Sequence, residues 1–204
     1  MTRETADFAS KLSLKQKVQK FITWLLHRDG PARNWRYIPT YLLLQKLKSE
    51  SAEMRAYAAE GLGGVGDVHA VAPLIDALDD NNSTVRRFAI SSLGKIRDDR
   101  ATDVLIPFLQ DEEADMRCAA AVALGELGLS EDRFSTPPVQ IIEALINSIT
   151  DSDRGVCSAA IVALGRIGNL QAVSALNALA ESTDSEWIRR YISEALHQIE
   201  EQNA

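Results

Sequence analysis

Five stretches of the chain align with one another: MRAYAAEGLGGVG from Met54, VRRFAISSLGKIR from Val85, MRCAAAVALGELG from Met116, VCSAAIVALGRIG from Val156 and IRRYISEALHQIE from Ile188. Their starts lie 31, 31, 40 and 32 residues apart, and self-similarity at such a period marks a solenoid of stacked helical units. Within each copy the apolar or small residues fall at offsets 0, 3, 4, 7, 8 and 11; in the second copy these are Val85, Phe88, Ala89, Ser92, Leu93 and Ile96. That spacing is the stripe of an amphipathic α-helix. Offset 7 is small in every copy (Gly61, Ser92, Ala123, Ala163, Ala195), as expected where a neighbouring helix approaches closely. Gly66, Gly128 and Gly168 recur at offset 12, where a left-handed residue is expected to end the helix.

A second apolar stretch follows each of the first four copies: DVHAVAPLIDAL, DRATDVLIPFLQ, PPVQIIEALINSI and NLQAVSALNALA. Each suits a helix of three to four turns. Neither helix can bury its stripe alone, so stacked neighbours must build one continuous core. Upstream, 10–28 reads as one helix and 36–48 as another, and the last copy runs into polar SEALHQIEEQNA. The expected architecture is all-α, an α-solenoid of about five helix pairs plus a capping helix. Residues 1–49 form basic, aromatic-rich capping helices and 50–204 the repeats.

The strings VRRFAISSLGKI, MRCAAAVALGEL and AVAPLIDALDD resemble the HEAT-like, armadillo-like repeats of the phycobiliprotein (phycocyanobilin) lyase type, over roughly residues 50–200. The resemblance implies a cyanobacterial phycobilisome accessory protein: a bilin lyase subunit, a chaperone for chromophore attachment, or a phycobilisome degradation factor. Its partner would be a phycobiliprotein or another acidic protein client, with a second HEAT-like subunit completing the lyase. No cofactor would be bound permanently; a bilin, a linear tetrapyrrole, would be held only in transit. The same repeats also occur in non-catalytic protein-interaction scaffolds, which stands as the alternative because fold alone does not carry function.

Composition narrows the field. Two cysteines and three well-separated histidines offer no zinc or HExxH pattern, and no His-Glu dipeptide exists for a di-iron site. GLGGVG at 61–66 closes an amphipathic helix instead of following a strand, which argues against a phosphate-binding loop. No apolar run reaches the roughly 18 residues of a membrane span, so no membrane insertion is expected. The polar start MTRETADFASKLSLK points to the cytoplasm.

Charge is uneven. Residues 1–48 hold ten Lys and Arg against three acids, a net +7, which leaves −14 for the remainder of a chain whose total is −7. This balance disfavours a nucleic-acid function, for which a basic stripe should continue through the repeats. The basic segment also carries half of the twelve aromatic residues. Trp24, Arg28, Arg33, Trp35, Arg36 and Tyr37 crowd around one turn beside His27. Arginines clamp carboxylates and aromatics stack on flat ligands or anchor interfaces. The cluster is therefore the candidate binding site for the partner or bilin; the plainer reading is a capping pair with aromatics in its core.

Arginines recur at offset 1, and aspartates stand six residues before two of them: Asp80 before Arg86 and Asp111 before Arg117. That spacing resembles the aspartate–arginine ladder that ties HEAT repeats together, with ligand contact as the other reading. In the fourth copy Cys157 takes the arginine's place after Asp151. Cys157 and Cys118 lie among small apolar residues with no histidine beside them, which favours packing over nucleophilic or bilin-carrying roles. The insertion LSEDRFSTPP at 129–138 lengthens one period to 40; it is either part of a binding face or a tolerated surface loop. No catalytic constellation is visible.

Overall fold

The repeat stripe folds as its spacing predicts. In the computed structural model, which describes residues 39–129 and 139–204, the five copies are helices α2 (Ala52–Val65), α4 (Ser83–Ile96), α6 (Ala114–Leu127), α8 (Arg154–Ile167) and α10 (Glu186–Asn203). Each is preceded by a partner in a second layer. These are α1 (Thr40–Lys46), α3 (Val71–Asp76), α5 (Thr102–Leu105), α7 (Val139–Ser148) and α9 (Gln171–Ser182). The described residues contain no strand and make five helix pairs within one unit, Pro39–Ala204. The helix expected over 36–48 is seen as α1, which packs on α2 with Leu43 buried.

Local chemistry starts and stops the repeat helices. The Asn82 carboxamide accepts the Thr84 and Val85 amides, and Asp153 does the same for Gly155 and Val156, satisfying donors that a helix start leaves open. At offset 12, Gly66 and Gly168 turn left-handed with φ of 75° and 74°, and Arg97 holds that conformation at 58° without a glycine. Gly128 departs from expectation: it stays right-handed at φ −69° and ψ −11°. Its bareness serves space instead, since a Cβ there would lie 2.6 Å from Ile167 Cδ1.

The second layer is less regular than its apolar pattern suggests. α3 and α5 are single short turns flanked by 3₁₀ segments, Val68–Ala70 and Ala77–Asp79 around the first and Asp99–Ala101 and Ile106–Gln110 around the second. Pro107 lacks the N–H that would continue α5 through the Asp103 carbonyl, and the chain tightens to 3₁₀ there. The proline-free stretch that forms α9 runs unbroken over twelve residues.

The repeat helices stack in series, α2 on α4 on α6 on α8 on α10. Their closeness rests on a row outside the stripe. Offset 9 is glycine in the first four copies, and each faces the small offset-7 residue of the next. A Cβ on Gly63 would lie 2.7 Å from Ser92 Cα, on Gly94 2.5 Å from Ala123 Cα, on Gly125 2.6 Å from Ala163 Cβ, and on Gly165 2.7 Å from Ala195 Cα. At the first contact the buried Ser92 hydroxyl also donates to the Ala59 carbonyl at 2.7 Å. Backbone-to-backbone approach leaves the repeat helices buried on three sides, so that Ile90 and Ile161 at offset 5 are fully covered although they lie off the stripe.

Candidate interaction surface

The offset-1 arginines of the first three copies sit at the turns between the layers, and each reaches two ways, while Arg189 in the last copy bonds the Thr183 carbonyl of its own turn. Toward its own repeat, Nη1 of Arg55, Arg86 and Arg117 donates to the carbonyl six residues earlier, that of Ser49, Asp80 and Asp111. Toward the next repeat, Arg55 Nε and Nη2 clasp both oxygens of Asp80 at 2.6 and 2.8 Å, and Arg117 clasps Asp151 at 2.8 and 3.0 Å. The carboxylates also bind the amide two residues on, so one aspartate both shapes its turn and receives the previous repeat. The side-chain partner of Asp80 is thus Arg55, with Arg86 taking its backbone carbonyl. Arg86 passes over Asp111 and meets Glu113 at 2.9 Å, and the Asp111 side chain accepts only the Glu113 amide.

These contacts differ in worth because their exposure differs. The Arg117 and Asp151 side chains are 15% and 14% exposed, whereas Glu113 is 52% exposed. A half-exposed pair contributes little, while removing one member of a covered pair strands the other. Asp151→Ala is therefore expected to cost about 1–3 kcal/mol, and Asp111→Ala about 0.5–1 kcal/mol, the range of a lost capping bond. Urea denaturation of the two variants beside wild type checks the order.

The same bonds set the acid limit of the fold. The hydroxyl of Thr40 at 2.7 Å, then the His69 amide and ring, hold the Asp67 carboxyl down to about 2. The hydrogen bonds of Arg55, Arg100 and Arg117 lower Asp80, Asp98 and Asp151. A carboxyl depressed in the folded state stabilises it above the unfolded value of about 4 and loses that contribution as pH falls toward the folded value. Stability is expected to stay level from pH 7 to about 5 and to decline below about 4. Asp67→Asn should flatten part of that decline between pH 4 and 2 in thermal melts.

Neither thiol is built for attack. Cys157 is buried and donates its S–H to the Ile149 carbonyl at 2.9 Å, eight residues back where the arginines reach six. Burial, then the charge of Asp151, raises its pKa; burial, then Asp153 and Asp115, raises that of the half-buried Cys118. Among the described residues no group of three or more His, Cys, Asp or Glu is placed to hold a metal ion, and no helix is long and apolar enough to cross a membrane.

With three sides of the inner repeat helices α4, α6 and α8 buried, one strip stays open on them, at offsets 2, 3, 6 and 10. On α6 and α8 its offsets 3 and 6 are small and apolar, with Val122 and Val162 48% and 39% exposed beside Ala119 and Ala159, while offset 10 carries the ion-paired Glu126 and Arg166. On α4 the Arg87 guanidinium lies 5.1 Å over the Phe88 ring. Towards α10, Arg154 lies 5.5 Å over Trp187, whose ring meets Tyr191 edge-on at 5.9 Å. Glu126 ties three repeats together, accepting Arg97 at 2.7 Å and Arg166 at 2.6 Å. The arrangement offers a water-exposed apolar floor between cation-capped aromatics, which suits a protein segment. Sequence reasoning missed it because valine reads as core wherever it stands; the available signal was valine at offset 6, where other copies carry Glu60, Ser91 and Glu194. Trp24, Arg28, Arg33, Trp35, Arg36 and Tyr37 lie outside the described residues, as does most of the 129–138 insertion.

Known proteins share this architecture. The profile of the HEAT repeats matches residues 40–125, 85–138 and 103–197, and no curated protein sequence matches the chain. The complex of CpcE and CpcF of phycocyanin lyase from Nostoc sp. PCC7120 superposes with a TM-score of 0.66 at 24% identity, over 86% of this chain and 70% of that one. A designed armadillo repeat protein in complex with the peptide (KR)4 gives 0.66 at 19% identity over 94% and 96%. An engineered protein gives 0.62 at 21% identity, over 98% of both chains. With its offset-9 glycines, its arginine–aspartate turns and a profile match over most of its length, the chain belongs to the HEAT-repeat family.

Proposed function

We propose that this HEAT-repeat protein is a docking scaffold for a protein client, and that the client is a phycobiliprotein. The observation that carries the scaffold reading is the open strip, where Val122 and Val162 stand in water although the helices beneath them are otherwise covered. Exposed apolar surface framed by polar groups is what a partner buries. The finer reading draws support from the fold it shares with the CpcE–CpcF complex and from the +7 charge of residues 1–48, which suits an acidic client. In that reading the protein serves as a bilin lyase subunit, an attachment chaperone or a degradation factor, and works beside a second HEAT-like subunit. The arginines and tryptophans around residues 24–37 then contact the client or a bilin in transit. A non-catalytic scaffold with a different client rests on the strip alone.

Calorimetric titration of the full chain with phycobiliprotein subunits, with and without attached bilin, tests this. Wild type is expected to bind, and Arg33→Ala with Trp35→Ala to weaken binding at least tenfold, since buried arginine and tryptophan anchors typically contribute about 2 kcal/mol or more. Transfer of free bilin to an unloaded subunit, followed by absorbance, separates the lyase from the chaperone. If no phycobiliprotein subunit binds in either state, the accessory reading falls and the plain scaffold takes its place.

A further inference from the structure

The clasp that joins one turn to the next lapses on both sides of the α8–α10 interface. Arg55 and Arg117 hold Asp80 and Asp151 of the following repeat. On α8, Cys157 stands where those arginines stand, and the turn before α10 carries Thr183 where the aspartates stand. The Thr183 hydroxyl still accepts the Ser185 amide, as Asp80 and Asp151 accept those of Asn82 and Asp153. The turn is kept and the bond across the repeats is gone. Among the described residues, the polar contacts that join α8 and its loop to α10 are the exposed Arg154 over Trp187, Gln202 to the Gly165 carbonyl at 3.3 Å and Asn203 to that of Gly168 at 2.9 Å. Burial is thin as well: α9 buries Ala172 and Leu176, and α10 buries Ile192, Ala195 and Ile199, whereas α8 alone buries eight residues.

We propose that α9 and α10 detach from α8 and unfold together as one unit while α1 to α8 stay folded. Segments with few buried apolar contacts open below the free energy of global unfolding, and once off the stack, helices of 12 and 18 residues are marginal in water. Opening uncovers a definite surface. Cys157, Ile161 and Gly165 lie four residues apart and so share one face of α8. Gly165 rests against α10, where an added Cβ would come 2.7 Å from Ala195 Cα. The same row on α10, Arg189, Ser193 and His197, has no helix stacked on it and is exposed. Cys157 and Ile161 are 3% and 0% exposed because α10 and its turn cover them. Arg154 and Trp187 stand together only in the closed state, so opening also dismantles the aromatic end of the open strip.

The test is hydrogen exchange of the full chain read by mass spectrometry. The slow amides of α9 and α10 are expected to exchange together, at least tenfold faster than those of α4 and α6. Their rate should also depend less on urea, since less surface is exposed than in global unfolding. In a Cys118→Ala background, iodoacetamide should label Cys157 in native buffer, faster than global unfolding allows. Restoring the clasp with Cys157→Arg and Thr183→Asp should slow exchange in α9 and α10 at least tenfold and leave α4 unchanged. Thr183→Asp alone, a carboxylate with no guanidinium to meet it, should not. If the double variant fails to fold, the exchange and labelling of the native cysteine decide the matter. Exchange of α9 and α10 at the rate of α4, exchange of one of the pair without the other, labelling of Cys157 only at the global unfolding rate, or a folded double variant with no slowing overturns the inference.

Discussion

Gly94→Val is expected to destabilise the fold by about 3 kcal/mol, lowering the melting temperature by roughly 6–12 °C for a chain of this size. The reason is the distance across the α4–α6 contact. A Cβ on Gly94 would fall 2.5 Å from Ala123 Cα, 2.7 Å from its Cβ and 3.0 Å from its carbonyl oxygen. Two of those three atoms are backbone, so no rotamer change relieves the clash and the helices must part. Overpacking of this kind costs about 1–3 kcal/mol, occasionally more, and valine's two extra methyls push toward the top of the range. In a stack where each pair touches only its neighbours, loosening one interface also weakens the coupling across it. A circular-dichroism melt that splits into two steps would carry that signature. Lys95→Ala, one residue along on the exposed side of the same helix, should stay within about 0.5 kcal/mol of wild type. If Gly94→Val melts with wild type, α4 and α6 are not packed backbone to backbone.

Leu124→Ala is expected to cost about 3–4 kcal/mol. Leu124 occupies offset 8 of the central repeat helix and is 0% exposed. Truncation removes its transfer free energy and leaves a cavity that close-packed neighbours fill only in part, and such changes cost about 2–5 kcal/mol. The contrast is Leu170, 61% exposed just before α9, where alanine should cost under about 0.5 kcal/mol. Equal midpoints for the two variants in urea would mean that the offset-8 row does not form the core.

Much of the fold was legible because helices are local objects. The recurrence of apolar residues at offsets 0, 3, 4, 7, 8 and 11 reports which side of a helix meets the core, and Val85, Ala89 and Leu93 are indeed fully buried, while offset 3 lies at the stripe's edge and stays partly open at Phe88 and Ala119. Caps are local too: Asn82 and Asp153 start their helices through amides two and three residues away. The broken second-layer helices were harder to foresee, since the apolar pattern of DRATDVLIPFLQ suits a helix and Pro107 decides against an unbroken one.

What lies between helices had to come from the tertiary structure. The sequence by itself determined the repeat, its period, the faces of its helices and the segregation of positive charge into the first quarter of the chain. The tertiary structure decided that the offset-9 glycines bring backbones into contact, that Asp80 receives Arg55 and Asp151 receives Arg117, and that Glu113 rather than Asp111 meets Arg86. It also decided that the same residue type, valine, is core at Val85 and Val156 but open surface at Val122 and Val162. The physical reason is that a side chain's spacing along its own helix says which way it points, while its partner is set by how far and at what angle the next helix is stacked.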